Sequence, residues 1–312
     1  MSHHLTHRAG TASIAFVLGV VLMLLAGAAQ AAAVQSDIYD EFAACPTDDP
    51  RLNGPPAEVA VCVSGTVRES TLELGDLDLP IDSPLHLQFA ATSPPNPEIE
   101  DCAPLNCLPV VPGSTTLEGG STVIWMGDNP RHGWGHKKSK WRKDKVRLTI
   151  EAAGDAKRLA IEFLFGAPVP AFSLPVKVHL EGPFLGKECY IGSSSEPIVL
   201  NPLATNEPEK FDLQPDPNGL SAEFIKAFGF NLSDTNYAVP AVEGCGPRKR
   251  HRWDRSGEIV DWLVNRVLDL PAPAGTNEAA LLGTDIAFAA AILDGTPPDG
   301  GATLQQAFEA AK

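Results

Sequence analysis

Six cysteines, Cys45, Cys62, Cys102, Cys107, Cys189 and Cys245, are the residues best placed for covalent chemistry in this 312-residue chain. An even count in an oxidising compartment reads as a disulfide framework. Many pairings are open, and the nearest-neighbour set is the expected one: Cys45–Cys62, Cys102–Cys107 and Cys189–Cys245. Closing those loops limits the unfolded chain and contributes about 3, 2 and 4 kcal/mol respectively. The competing chemistry is metal binding. No CxxC pair occurs, and the spacings are not those of a zinc site. A redox role for Cys102 and Cys107 is a lesser alternative.

The second chemical feature is charge. Residues 131–147 read RHGWGHKKSKWRKDKVR and hold eight Lys/Arg; residues 248–255 read RKRHRWDR and hold five. The only acids among them are Asp144 and Asp254. The rest of the chain carries 11 basic against 37 acidic residues, a net charge of −26. Candidate ligand-binding residues are Arg131, Trp134, Lys137, Lys138, Lys140, Trp141, Arg142 and Lys143 in the first segment. Arg248, Lys249, Arg250, Arg252 and Trp253 belong to the second. Cations interleaved with aromatic plates suit an anionic polymer, such as teichoic acid, or a membrane surface; nothing specifies a nucleic acid. The plainer reading is that these loops neutralise an acidic body while the indoles pack over Lys and Arg stems. Processing at Arg248-Lys249-Arg250 is a further alternative. His132, His136 and His251 lie in the same segments near Asp128, but Gly133 and Gly135 disfavour the helix that an HxxxH metal pair needs.

No catalytic set emerges, and no cofactor is expected. Ser193, Ser194 and Ser195 follow Gly192 without a nucleophile elbow. His179 sits on the wet side of a strand beside Lys177 and Glu181. Asp76/Asp78 and Glu98/Glu100 are carboxylate pairs in turn-rich surroundings. Asp212, Asp216 and Asn218 beside Gly219 faintly suggest calcium. Asn231-Leu232-Ser233 matches a glycosylation sequon, a pattern common by chance.

The N-terminus has the form of an export signal. Arg8 precedes an apolar run from Ala12 to Ala26, and Ala29-Gln30-Ala31 and Ala31-Ala32-Ala33 offer small-x-small cleavage sites. Cleavage is expected; a retained anchor over Ala12–Ala29 is the alternative. The expected organisation is a signal peptide over 1–33, a disulfide-stapled β-rich domain over 34–294, and a loosely held tail over 295–312. The location is extracellular or cell envelope.

Short strands must position these groups. Val59, Val61 and Val63 alternate with polar or small residues, as do Leu85, Leu87 and Phe89. Val146, Leu148 and Ile150 follow, then Leu159, Ile161, Phe163 and Phe165, then Val176, Val178 and Leu180. This is the period of half-buried strands. Many prolines mark their ends. One helix is predicted over 257–270, capped by Ser256, with Ile259, Leu263, Val267 and Leu270 as its apolar stripe and Trp262 widening it. A strand is predicted over 280–289, a surface loop over 202–219, and a short amphipathic piece over 304–311. The fold class is mainly β: an antiparallel β-sandwich-like domain with one C-terminal α-helix.

Several runs carry a resemblance. They are Asp37 to Pro46, Leu174 to Gly186, Cys189 to Ser193, Tyr237 to Pro240, Gly244 to Gly246 and Leu270 to Asn277. Together they resemble an uncharacterised group of secreted actinobacterial proteins, over roughly residues 37–290. The resemblance implies an exported protein of a Gram-positive cell and brings no activity. It supports the pairs Cys45–Cys62 and Cys189–Cys245; the basic segments, Cys102 and Cys107 stand outside its pattern. The function expected is therefore a non-catalytic secreted or envelope protein with affinity for anionic envelope polymers. The alternatives are a secreted hydrolase with an unrecognised site and a membrane-anchored extracytoplasmic protein.

Overall fold

The structure, a computed structural model, describes residues 41–53, 59–93, 107–125, 145–183, 185–215, 222–246, 256–292 and 299–310. The chain is mainly β, as its period-two patterning predicts. The first strands are β1 (Val59–Val67), β2 (Glu69–Leu74), β3 (Leu77–Ile81) and β4 (Leu85–Thr92). Then come β5 (Cys107–Pro109), β6 (Thr116–Gly119), β7 (Ser121–Trp125), β8 (Lys145–Ala152) and β9 (Arg158–Ala160). The third group is β10 (Leu174–Glu181), β11 (Tyr190–Ile191), β12 (Ile198–Leu200), β13 (Leu203–Ala204) and β14 (Lys210–Pro215). Last are β15 (Ala222–Asp234), β16 (Val242–Glu243), helix α1 (Ser256–Leu268), β17 (Ala279–Ile292) and helix α2 (Gly300–Ala310).

Two antiparallel sheets face each other. A nine-stranded sheet runs β13-β15-β17-β1-β4-β6, with β14 also beside β15 and the β2–β3 hairpin beside β17. A six-stranded sheet runs β16-β11-β10-β8-β7, with β12 beside β10. Between them lies the main core, where Val61, Val63, Leu87, Phe89 and Phe288 join one cluster with Leu148, Ile150, Val176, Val178 and Leu180. The alternation that a strand imposes therefore puts each predicted apolar set on the inner side. The chain passes from one sheet to the other at Gly119 and Gly120, both with positive φ (82° and 60°). A Cβ at Gly119 would run into the Pro84 carbonyl, so only glycine fits this corner.

The outer pleat of the nine-stranded sheet is also covered. Ala60, Cys62, Ala90, Ala287, Ala289 and Ala291 form a second buried cluster with Phe42, Phe224, Leu304 and Ala307. Small side chains let α2 and the 41–53 segment approach closely. Phe42 stacks on Phe308 at 5.6 Å, and Asn53 Oδ1 accepts from Ala302 N at 2.9 Å. The Cys45–Cys62 disulfide pins the same segment to β1. In β15 the register shifts between Ala227 and Phe230. That bulge moves the core-facing set from Ile225 and Ala227 to Phe230 and Leu232.

Four local expectations meet a different structure. Residues Ile161–Phe165 form a 3-10 turn rather than a strand, burying Phe163 and Leu164 and leaving Phe165 exposed. The expected loop 202–219 contains β13 and β14, which edge the sheet beside β15. The segment expected as a loose tail is helical over Gly300–Ala310, with Leu304 and Ala307 fully buried. The predicted helix forms at Ser256–Leu268, but turned about its axis: Val260, Val264, Val267 and Leu268 face the core, whereas Ile259, Trp262 and Leu263 are exposed. The cause is polar. Asp261 Oδ1 accepts from Cys245 N at 2.7 Å, and Asn265 Oδ1 accepts from Val242 N at 2.7 Å. These two residues, one turn apart, hold that side of α1 against β16.

Candidate functional site

All the candidate residues of the two basic segments, Arg131 to Lys143 and Arg248 to Trp253, lie outside the described residues. Their flanking residues do not. The first segment is the connection between β7 and β8, which pair Trp125 with Lys145. The second joins Gly246, just past β16, to Ser256 at the start of α1.

Strand directions bring these four flanking residues to one end of the six-stranded sheet. Arg147 on β8 pairs with Glu181 at the last position of β10. Leu180 N donates to Cys189 O at 2.9 Å, so β11 begins at the same end. Tyr190 pairs with Glu243, so β16 finishes there too. The turn after β10 closes the arrangement: Gly186 N donates to Cys245 O at 2.7 Å, and a Cβ at Gly186 would lie 2.6 Å from the carbonyl oxygens of Gly244 and Gly246. The buried Cys189–Cys245 disulfide locks β11 to this turn, with Cα atoms 4.0 Å apart. Three strand spacings separate β8 from β16, which is about 14 Å across the sheet. Lys145 and Arg147, the two described cations of the first segment, are both exposed at this end.

The outer face of the same sheet carries a polar cluster around Tyr190. The His179 ring stacks on Tyr190 (4.5 Å, 16° between planes), and Lys177 Nζ sits 4.4 Å over the same ring. Glu151 receives Lys177 at 3.2 Å, and His179 Nδ1 lies 3.5 Å from the same carboxylate. His179 Nε2 is 3.1 Å from Lys187 O, so this nitrogen donates and carries the proton. The ring is thus held to the scaffold by this hydrogen bond and by its stacking on Tyr190. Strand alternation foretells the outward His179; its stacking on Tyr190 depends on strand register, which the sequence does not display.

The remaining described candidates make local contacts. Ser193 Oγ accepts from Glu196 N at 3.0 Å and lies 3.0 Å from Ser195 Oγ, closing a turn. Glu73 and Asp78 pair across β2 and β3 and border a shallow surface groove with Glu278. Asp212 meets Lys210 at 3.6 Å, whereas Glu98, Glu100, Asp216, Asn218, Asp128, His132, His136 and His251 lie outside the described residues. Asn231 of the sequon is within β15, where its side-chain oxygen accepts from Gly283 N at 3.2 Å. Among the described residues, no group of three His, Cys, Asp or Glu is arranged to hold a metal ion. An apolar cavity of about 50 Å³ lies between the sheets, bordered by Leu72, Leu174 and Asp234. Asp234 is fully engaged there, accepting from Asn201 N at 2.6 Å and Asn236 N at 2.8 Å.

Family models, curated proteins and solved structures contain no match to this chain. Two of the three expected disulfides, Cys45–Cys62 and Cys189–Cys245, are formed and fit an extracellular protein. Cys107 is disulfide-bonded as well; its expected partner, Cys102, lies outside the described residues. No helix among the described residues is long and apolar enough to cross a membrane. The exposed stripe of α1 is the feature that sequence reasoning assigned to the core. A signal existed: seven apolar residues among thirteen positions are more than one buried stripe requires.

Proposed function

We propose that this is an exported, non-catalytic protein of the cell envelope that binds anionic polymers through its two basic, tryptophan-bearing segments. The observation that carries the reading is the common end of the six-stranded sheet from which both segments depart. Residues 126–144 and 247–255 provide enough chain to meet across a gap of about 14 Å, since an extended residue covers about 3.4 Å. The two segments that depart from this end carry thirteen of the chain's cations, and drawn together they would make a strong local field on an otherwise acidic molecule. The disulfides and the N-terminal sequence support export, with cleavage by a signal peptidase after Ala31 or Ala33. The resemblance to secreted actinobacterial proteins agrees with that location.

The test is retention on heparin or phosphocellulose at low salt. The mature chain should be retained and should elute as salt rises. Replacing Arg248, Lys249, Arg250 and Arg252 with Ser should release it early; unchanged retention sinks the reading. Mass spectrometry of the exported protein should place its N-terminus at Ala32 or Val34. An intact N-terminus would instead mean a retained anchor.

A further inference from the structure

We propose that the outward face of α1, formed by Ile259, Trp262 and Leu263, docks this protein onto an anionic lipid leaflet. The proposal rests on the reading of the adjacent end as cationic, and it adds a second contact that a soluble polymer would not need.

The three side chains are 62%, 60% and 44% exposed. Their spacing of three and four residues puts them on one stripe of the helix. Isolated exposed apolar residues are ordinary on protein surfaces, but an indole flanked by isoleucine and leucine on one stripe is an apolar patch. The helix cannot turn this face inward, because Asp261 and Asn265 hold the other side to β16. Arg266 continues the exposed stripe, with its guanidinium 5.9 Å from the Trp262 ring. An indole with an arginine beside it suits the boundary between headgroups and acyl chains, where rings are half immersed and cations reach phosphate.

Charge selects the occupant. The eight residues immediately before Ser256 hold five Lys/Arg and one acid, and Lys145 and Arg147 flank the same end of the sheet. Of the acids near this end, Asp261 is turned to the Cys245 amide; Glu258 on α1, Asp269 just after it, and Glu181, Glu188 and Glu243 at the sheet end are exposed, and the thirteen Lys/Arg of the two segments outnumber them. The remainder of the molecule is strongly negative. An anionic surface would therefore orient the protein with α1 towards it and the acidic body away. A soluble polyanion matches the cations but offers nothing to Ile259, Trp262 and Leu263. A leaflet matches both.

The experiment is flotation of the disulfide-intact mature chain with vesicles of phosphatidylglycerol and phosphatidylcholine, or of phosphatidylcholine alone. The protein should float with the anionic vesicles and not with the zwitterionic ones. The variant I259Q/W262Q/L263Q should bind anionic vesicles about tenfold more weakly or worse, and its heparin retention should stay unchanged. Wild-type binding by the variant overturns the proposal. So does equal binding of the wild type to both vesicle types. A fall in the variant's melting temperature also overturns it, since the stripe would then be covered by protein. Heparin retention without vesicle binding defeats this proposal and leaves the polymer reading standing; loss of both defeats both.

Discussion

Tyr237 shows how much one buried polar atom sets in this fold. Its side chain is 2% exposed, and its hydroxyl donates to the Glu73 carbonyl at 2.7 Å, tying the segment after β15 to β2. Burial pushes the phenol well above its usual value of 10.0, and the nearby carboxylates of Glu73, Asp234 and Glu278 push the same way. The folded state therefore prefers the neutral phenol. This preference contributes fully below pH 10, where the unfolded phenol is also protonated. It is lost as pH climbs further, because the unfolded chain ionises first. Tyr237→Phe should cost about 1–2 kcal/mol at neutral pH, and the variant should lose less stability than the wild type between pH 9 and about 11. Urea midpoints at the two pH values check both; parallel losses would show that Tyr237 does not titrate in this way. The hydroxyl partner was not legible in the sequence, because residues 73 and 237 meet only through the sheet.

Elements were legible in kind and less so in orientation. Period-two patterns identify β1, β4, β8 and β10 and the faces they bury, since a pleat leaves no other choice. The run Leu159–Phe165 shows the same period, yet the strand stops at Ala160 and Ile161–Phe165 becomes a 3-10 turn, so alternation alone did not secure a strand there. Helix α1 was legible as a helix, but apolar residues on both sides left its rotation open until Asp261 and Asn265 found β16. The disulfides act on different elements, which gives a contrast to measure. Cys45→Ser/Cys62→Ser frees the 41–53 segment and should cost about 3 kcal/mol in urea unfolding, whereas Cys189→Ser/Cys245→Ser should cost about 4 kcal/mol. Only the second pair sits at the end of the sheet where the basic segments depart. Its loss should also lower heparin retention of the still-folded protein, while loss of the first pair should not. Equal retention of both variants would detach the Cys189–Cys245 lock from the binding end.

At the scale of the whole molecule, three layers stack. The alanine-lined outer cluster supports α2 and the N-terminal turn, the middle core joins the sheets, and the six-stranded sheet carries the end from which both basic segments depart. The composition of the basic segments was legible as sequence. Their common end was not, because β10 and β11 lie between their strands and only the completed topology aligns them. If that end closes on a polyanion, counterions must leave as cations meet phosphate or sulfate groups. With about six of the thirteen cations engaged, the logarithm of the heparin affinity should fall with the logarithm of salt at a slope of about −4 to −5. Each engaged cation removed by the Arg248–Arg252 replacements should make the slope shallower by about one. Titrating intrinsic tryptophan fluorescence across about 50 to 300 mM salt measures both slopes. A wild-type slope near zero would mean that the polymer meets some other surface. A steep slope untouched by the replacements would place the contact on residues 131–147 alone.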